Sequence, residues 1–240
     1  MAVPFDRRSV LRTSALAAAA GGLAACDSPS GTETTATPSP NSAAPSPPVT
    51  SGEAISRLSD GNRRWASGAT TRAAQDAAAP VSASETPYAV ILACTDARVP
   101  PEVVFDEGLG HLAVVRTPAH VADATALGAI EFATQQLGSR AVFVLGHDDC
   151  DIIASAVQTF RRAGGTAPGH MQDVVNQLRP AYDVVKSHAD ATADMVGAHV
   201  AHTVDVVRSD PVIHRLVTTG IVSVIGGHYS LASRVIHRLV

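Results

Sequence analysis

The sequence predicts an α/β fold, a mainly parallel β-sheet flanked by helices on both faces. Three observations lead there. Short apolar runs rich in β-branched residues recur as PYAVILAC, HLAVVR and SRAVFVLGH, each bounded by turn-forming or polar residues in the manner of buried strands. Segments with helical apolar spacing follow or separate them. The chain has 240 residues, 45% of them hydrophobic, enough for one sizeable core rather than two.

The elements follow in order. From Ala54 to Gly68, apolar Ile55, Leu58 and Trp65 stand among charges, which predicts an amphipathic helix. The first strand closes at Cys94 before the polar TDAR, and the second covers 111–116. In ADATALGAIEFATQQLG, Leu127, Ile130 and Leu137 keep helical spacing and Gly138 provides the stop. The third strand covers 139–147, and DIIASAVQTFRRAGG after Cys150 reads as helix. Further helices are expected over 171–188 and 195–207, and GIVSVIGGHYSLASRVIHRLV finishes with a strand and a short extension. In such sheets ligands sit at the carboxyl ends of the strands. Cys94 ends the first strand and His147 the third, with Cys150 three residues on, so all three are expected at one edge.

The N-terminal stretch MAVPFDRRSVLRTSALAAAAGGLAAC joins an Arg7-Arg8 pair to an alanine-rich apolar run and ends in LAAC at Cys26. That pattern predicts a twin-arginine export signal over 1–25 with a lipoprotein-type cleavage site, and lipid on Cys26. The apolar run is too short to span about 30 Å of hydrocarbon. Residues 26–51 add a low-complexity Ser/Thr/Pro/Ala tether reaching roughly 25 to 30 Å as a coil, or about 75 Å if polyproline-like. One folded domain is expected over 52–240, held on the outer face of the cell membrane. Of 18 Lys+Arg and 22 Asp+Glu, residues 1–25 carry three Arg and one Asp, so the remainder has an acidic excess of six. An acidic chain with few aromatics and no basic run excludes a nucleic-acid partner.

With Cys26 given to lipid, Cys94 and Cys150 are the cysteines left. Exported proteins favour disulfides, whereas the twin-arginine route carries proteins folded in the cytoplasm, which favours metal. One imidazole, two thiols and an open fourth position make the donor set of a catalytic zinc. The H-x-x-C spacing alone leaves a core histidine beside two inert thiols, or a disulfide, equally open. Asp96 and Arg98, two residues apart just after the strand, can turn to one side and pair; Arg holds a carboxylate in a fixed pose.

CTDARVPPEVVFDEGLGHLAVVR followed by VLGHDDC resembles the β-class carbonic anhydrase family, whose hallmark is C-x-D-x-R, a strand, then H-x-x-C. The similarity runs from RLSDGNRRW to HVAHTVDVVRSDPVIHRLVTTGIVSVIGGHYSLASRVI, nearly everything after the tether. It implies that Cys94, His147 and Cys150 hold Zn2+ and that Asp96 and Arg98 form the family's dyad, Arg98 keeping Asp96 ionised and off the metal. The implied reaction is reversible hydration of carbon dioxide to bicarbonate. It also implies a homodimer or higher homo-oligomer, with Gly61 to Trp65 resembling the arm that wraps a partner.

The chain departs from the family at Ala97, where a serine is usual, and at Asp151, where a glycine is usual. It also has RTPAH from Arg116 in place of R-N-A-G-N. His120 in that segment reads either as a proton shuttle or as a solvated loop histidine. The altered wall also admits hydrolysis of another small linear molecule, carbon disulfide or carbonyl sulfide. A non-catalytic surface domain with a Cys94–Cys150 disulfide is the remaining alternative.

Overall fold

The structure is a computed structural model that describes residues 49–71 and 86–240. The expected signal, Cys26 and all but the end of the tether lie outside the described residues. Among the described residues no helix is long and apolar enough to cross a membrane.

The first helix, α1 (Ser51–Ser67), starts three residues before the expected Ala54 because Thr50 and Glu53 form a capping box. The Thr50 hydroxyl accepts from the Glu53 amide at 3.2 Å, and the Glu53 carboxylate accepts from the Thr50 amide at 2.7 Å. Gly68, at φ 78°, ends it. Ala54, Leu58, Gly61 and Asn62 form its buried stripe. A Cβ on Gly61 would stand 1.8 Å from the Phe105 carbonyl oxygen, so only glycine permits this approach. Asn62 donates to the carbonyls of Val104 and Arg234, at 3.1 and 3.0 Å, and accepts from the Ile236 amide at 2.9 Å. Trp65 donates to the Tyr229 hydroxyl at 2.9 Å. The segment expected to wrap a partner is thus engaged with its own chain.

Strands β1 (Ala89–Cys94), β2 (Leu112–Thr117), β3 (Ala141–His147), β4 (Ser223–Tyr229) and β5 (Ile236–Arg238) form one sheet in the order β2-β1-β3-β4-β5. All neighbours are parallel except β4 and β5. The mainly parallel α/β expectation is therefore borne out. The period-two alternation divides the core. Ala89, Ile91 and Ala93 of β1 and Ala141, Phe143 and Leu145 of β3 face α1 and the short α2 (Pro101–Val104), a helix the sequence reading did not include. Val90, Leu92, Val142 and Val144 face α3 (Ala124–Gln135), α6 (Ala191–Ser209) and α7 (Pro211–Thr218).

Strand β2, expected to be buried like its neighbours, is only half-buried in this chain. It is the last strand on its side of the sheet, so its outer edge has no neighbouring strand among the described residues. Helices α4 (Asp151–Arg161) and α5 (Met171–Val185) pack with α6 around the carboxyl ends of β1 and β3, where Cys94, Ala119 and Cys150 share one apolar cluster. Helix α6 runs four residues earlier than expected because Asp190 caps it, accepting from the Ala193 amide at 3.0 Å.

Candidate metal centre

Parallel pairing sets the geometry of the site. Strands β1 and β3 run in register from Ala89 opposite Ala141 to Ala93 opposite Leu145, so Cys94 and His147 leave the sheet at the same edge. Cys150 follows on a three-residue turn as the N-cap of α4. Its φ/ψ, −73° and 108°, are still extended, and Asp149 before it takes a left-handed φ of 50°. The chain thereby doubles back to bring the second sulfur beside the first.

The sulfurs of Cys94 and Cys150 and a ring nitrogen of His147 lie within 4.8 Å of one another, and all three residues are buried. The two sulfurs are 3.9 Å apart and both cysteines are free. The disulfide reading is corrected accordingly: the pair is unbonded. Two bonds of about 2.3 Å at a tetrahedral centre separate their sulfurs by about 3.8 Å, the spacing seen here. The His147 Nδ1–H donates to the Asp148 carbonyl at 2.7 Å, which fixes the tautomer and leaves Nε2 as the lone-pair atom. That Nε2 is buried without a hydrogen-bond partner. A buried imidazole lone pair without a hydrogen-bond partner, within 4.8 Å of two free thiols, is a metal-ligand arrangement, and the donor set fits zinc.

The thiols titrate as a pair. The bond with Cys150 draws the Cys94 thiol down to about 4 against the opposing effect of burial. Bonding to the Cys94 thiolate, together with burial, pushes Cys150 far up.

Asp96 and Arg98 stand at the mouth. Arg98 donates through Nε and Nη2 to the two Asp96 carboxylate oxygens at 3.0 and 2.6 Å, and its own amide donates to Asp96 at 2.9 Å. Its Nη2 also donates to the Asp149 carbonyl at 2.8 Å, which anchors the guanidinium to the turn carrying Cys150. The Arg98 bond holds Asp96 down to about 2, against burial. Asp96 Oδ2 is 3.8 Å from His147 Nε2. A cleft of about 280 Å³ opens beside this group, lined by Cys94, Asp96, Ala97, Arg98, Cys150 and Asp151.

Three supporting residues escaped the sequence reading. Arg116 on β2 donates from Nε to the Cys94 carbonyl at 2.9 Å and from Nη2 to the Asp96 carbonyl, fixing the loop after β1. A charge ending an apolar strand was the available signal. Ala119 lies in the turn Pro118–His120, where Ala119 and His120 both take left-handed φ values, 52° and 49°. That conformation costs a non-glycine residue about 1–2 kcal/mol. His199, on the buried stripe of α6, donates from Nε2 to the Ala119 carbonyl at 3.0 Å. A histidine on the apolar face of a predicted helix was its signal. Burial first, then His202, push the His199 imidazole down to about 4 although the Ala119 bond lifts it.

His120 is corrected from a solvated loop residue to a buried one. It is 1% exposed, neither ring nitrogen has a partner, and burial with His199 and His147 nearby holds its pKa well below the ordinary range. The Ala97 and Asp151 departures leave the three metal-binding atoms together, and both residues line the cleft.

A carbonic anhydrase family model matches residues 89–236, which contain every residue of this site. The chain belongs to the β-carbonic anhydrase family. Carbonic anhydrase 2 of Mycobacterium tuberculosis is 35% identical over 180 residues, covering 72% of this chain and 86% of that protein. The carbonic anhydrase of Mycolicibacterium smegmatis is 33% identical over 180 residues, covering 73% and 86%. Among solved structures, the β-carbonic anhydrase of Coccomyxa in complex with acetazolamide superposes with a TM-score of 0.61 at 25% identity, covering 77% of this chain and 86% of that one. One of two tetrameric β-carbonic anhydrases from Sordaria macrospora gives 0.57 at 19% identity, over 65% and 82%. This carbonic anhydrase thus keeps the fold of its relatives around a Cys-His-Cys centre.

Proposed function

We propose that the enzyme hydrates carbon dioxide reversibly to bicarbonate at a zinc ion held by Cys94, His147 and Cys150. The observation that carries this reading is the convergence of two free thiols and one orphaned imidazole nitrogen within 4.8 Å. Zinc in such a site supplies Lewis acidity, making water a nucleophile near neutral pH.

The chain's own groups do the rest. His147 Nδ1–H donates a hydrogen bond to the Asp148 carbonyl and so keeps Nε2 available. Arg98 holds Asp96 ionised through two side-chain bonds and turns it toward the mouth. An ionised Asp96 beside His147 is placed to accept a hydrogen bond from the attacking water, orienting its lone pair toward the carbon of carbon dioxide. The apolar cluster of Ile153, Ala156, Val157 and Ala119 behind the sulfurs excludes other water.

The test pairs metal analysis of the purified domain with a pH-indicator assay of carbon dioxide hydration. One zinc per chain and rapid turnover are expected. Metal-free protein with no turnover overturns the proposal, and zinc without turnover of carbon dioxide moves the activity to another small linear substrate.

Export and anchoring belong to the same proposal and are supported by Arg7-Arg8, the alanine-rich run and LAAC at Cys26. Changing both arginines to lysine should leave precursor in the cytoplasm, and Cys26→Ala should abolish lipidation; normal maturation of the double-lysine protein sinks the twin-arginine route. Self-association is proposed as well, supported by the half-buried edge strand β2 and by the tetrameric Sordaria relatives. Light scattering that gives the mass of one chain contradicts it.

A further inference from the structure

The strained turn Pro118–His120 backs the Cys94 sulfur, and the structure shows what holds it. Ala119 and His120 are consecutive left-handed residues, neither of them glycine, and both are buried. Such a conformation persists only where its surroundings over-determine it. The flanks are tied: the Thr95 amide donates to the Thr117 carbonyl at 3.2 Å, and the Thr117 hydroxyl donates to the Val121 carbonyl at 2.7 Å. Neither bond reaches the peptide between Ala119 and His120. The bond that does comes from 80 residues away, from His199 Nε2 to the Ala119 oxygen.

His199 reaches that far because α6 presses onto the sheet. A Cβ on Gly146 of β3 would meet Val200 Cγ2 at 2.6 Å, and one on Gly226 of β4 would meet Val200 Cγ1 at 2.5 Å. The two glycines let the helix in, and Val200 follows His199 directly. The His120 ring then lies against the His199 ring, centroids 4.7 Å apart and tilted by 35°, closing the turn over its own support. The His199 Nδ1 has no partner and is buried, so the ring spends its one proton on the Ala119 carbonyl.

We infer that His199 is a positioning residue for the metal centre: by holding the Ala119 carbonyl it fixes the left-handed turn that packs with Cys94 in one buried cluster. A turn that shifts there lets the ligand sulfur leave its direction, so losing the tie weakens the site's grip on the cation. The inference rests on the zinc reading proposed above. It differs from a packing role, which would lower stability and leave metal affinity untouched.

The experiment measures zinc affinity of the folded full chain by competition with a chelator, and the thiolate-to-metal absorption band after cobalt substitution. His199→Leu fills the space without a donor and should lower zinc affinity by about 10-fold to 100-fold, the range typical of lost outer-shell partners, and shift the band. His199→Gln keeps a donor at similar reach and should restore most of both. In the background of Ala119→Gly, where the left-handed turn is no longer strained, His199→Leu should cost clearly less than in the native chain. Should His199→Leu fail to fold, His199→Asn, whose amide stops short of the carbonyl, takes its place in each comparison. A native chain that binds zinc while the variant keeps the same affinity and band overturns the inference and leaves the proposed function standing. So does a Gln variant no better than Leu, or an unchanged penalty in the glycine background. A native chain that binds no zinc takes both readings down.

Discussion

Cys94 and Cys150 present the same atom to the same point, yet the protein supports them in opposite ways. Cys150 is placed locally: it is the N-cap residue of α4, and the left-handed Asp149 just before it makes the turn that delivers its sulfur. Cys94 is served from a distance. Arg116 on β2 holds its carbonyl, Ala119 in a strained turn packs in the same buried cluster, and His199 on α6 holds that turn. A local support is present whenever the helix forms, whereas a distant one requires the whole sheet and α6 to be assembled. The Cys94 half should therefore be the half that responds to remote substitutions.

The dyad bridges the two halves and carries the largest expected effect. Asp96→Asn keeps zinc but should lower the hydration rate on the order of 100-fold, because the charged acceptor is gone. Arg98→Ala frees the carboxylate to approach the metal and should also cut the bond that ties Asp96 to the Cys150 turn. Zinc-edge absorption distinguishes the two: an added light ligand is expected in Arg98→Ala and not in Asp96→Asn. Unchanged activity in both would reduce the pair to a surface ion pair.

Acid probes the distant support next. The folded pKa of His199 lies near 4 against 6.5 in an unfolded chain. Between those values the unfolded chain binds a proton that the folded one refuses. The stability tied to the neutral imidazole is thus complete above about 6.5 and is lost as pH falls toward 4. One such shift is worth on the order of 3 kcal/mol. The rings facing it are His120, itself buried, and His202, whose centroid is 6.3 Å away. Urea midpoints between pH 7 and 4 should fall steeply in the native chain and less in His199→Leu; parallel curves would remove His199 from the acid response.

Pushing α6 outward should separate the halves. Gly226→Ala places a Cβ 2.5 Å from Val200 and should cost about 1–3 kcal/mol by urea denaturation. Hydrogen exchange should accelerate at the Ala119 amide and stay unchanged at Ile153. Equal acceleration at both would mean that the two supports are not independent. The smallest effect belongs to the local half. Asp151→Ala removes the acidic residue from the first turn of α4 and should cost about 0.5 kcal/mol of stability, with zinc affinity kept.

The comparison also explains what could be read in advance. Strand ends, the H-x-x-C turn and the Asp96–Arg98 pair involve residues near one another in sequence, and the parallel alternation brings them to one edge. Helix α2 was missed because four residues from Pro101 carry too short a pattern. Exposure of β2 was misjudged because an apolar run does not tell whether its strand lies at the centre or the edge of the sheet.

The sequence by itself determined the alternation of strands and helices, the acidic balance and the candidate ligands, because each is written in composition or in spacing of a few residues. Only the tertiary structure decided that Cys94 and Cys150 stand 3.9 Å apart and unbonded, that His120 is buried, and that His199 holds Ala119. The burial of His120 and its neighbour's bond to Ala119 depend on how closely α6 can approach β3 and β4, and that distance is set by the absence of a Cβ at two glycines together with the shape of Val200, a packing relation that no local pattern encodes.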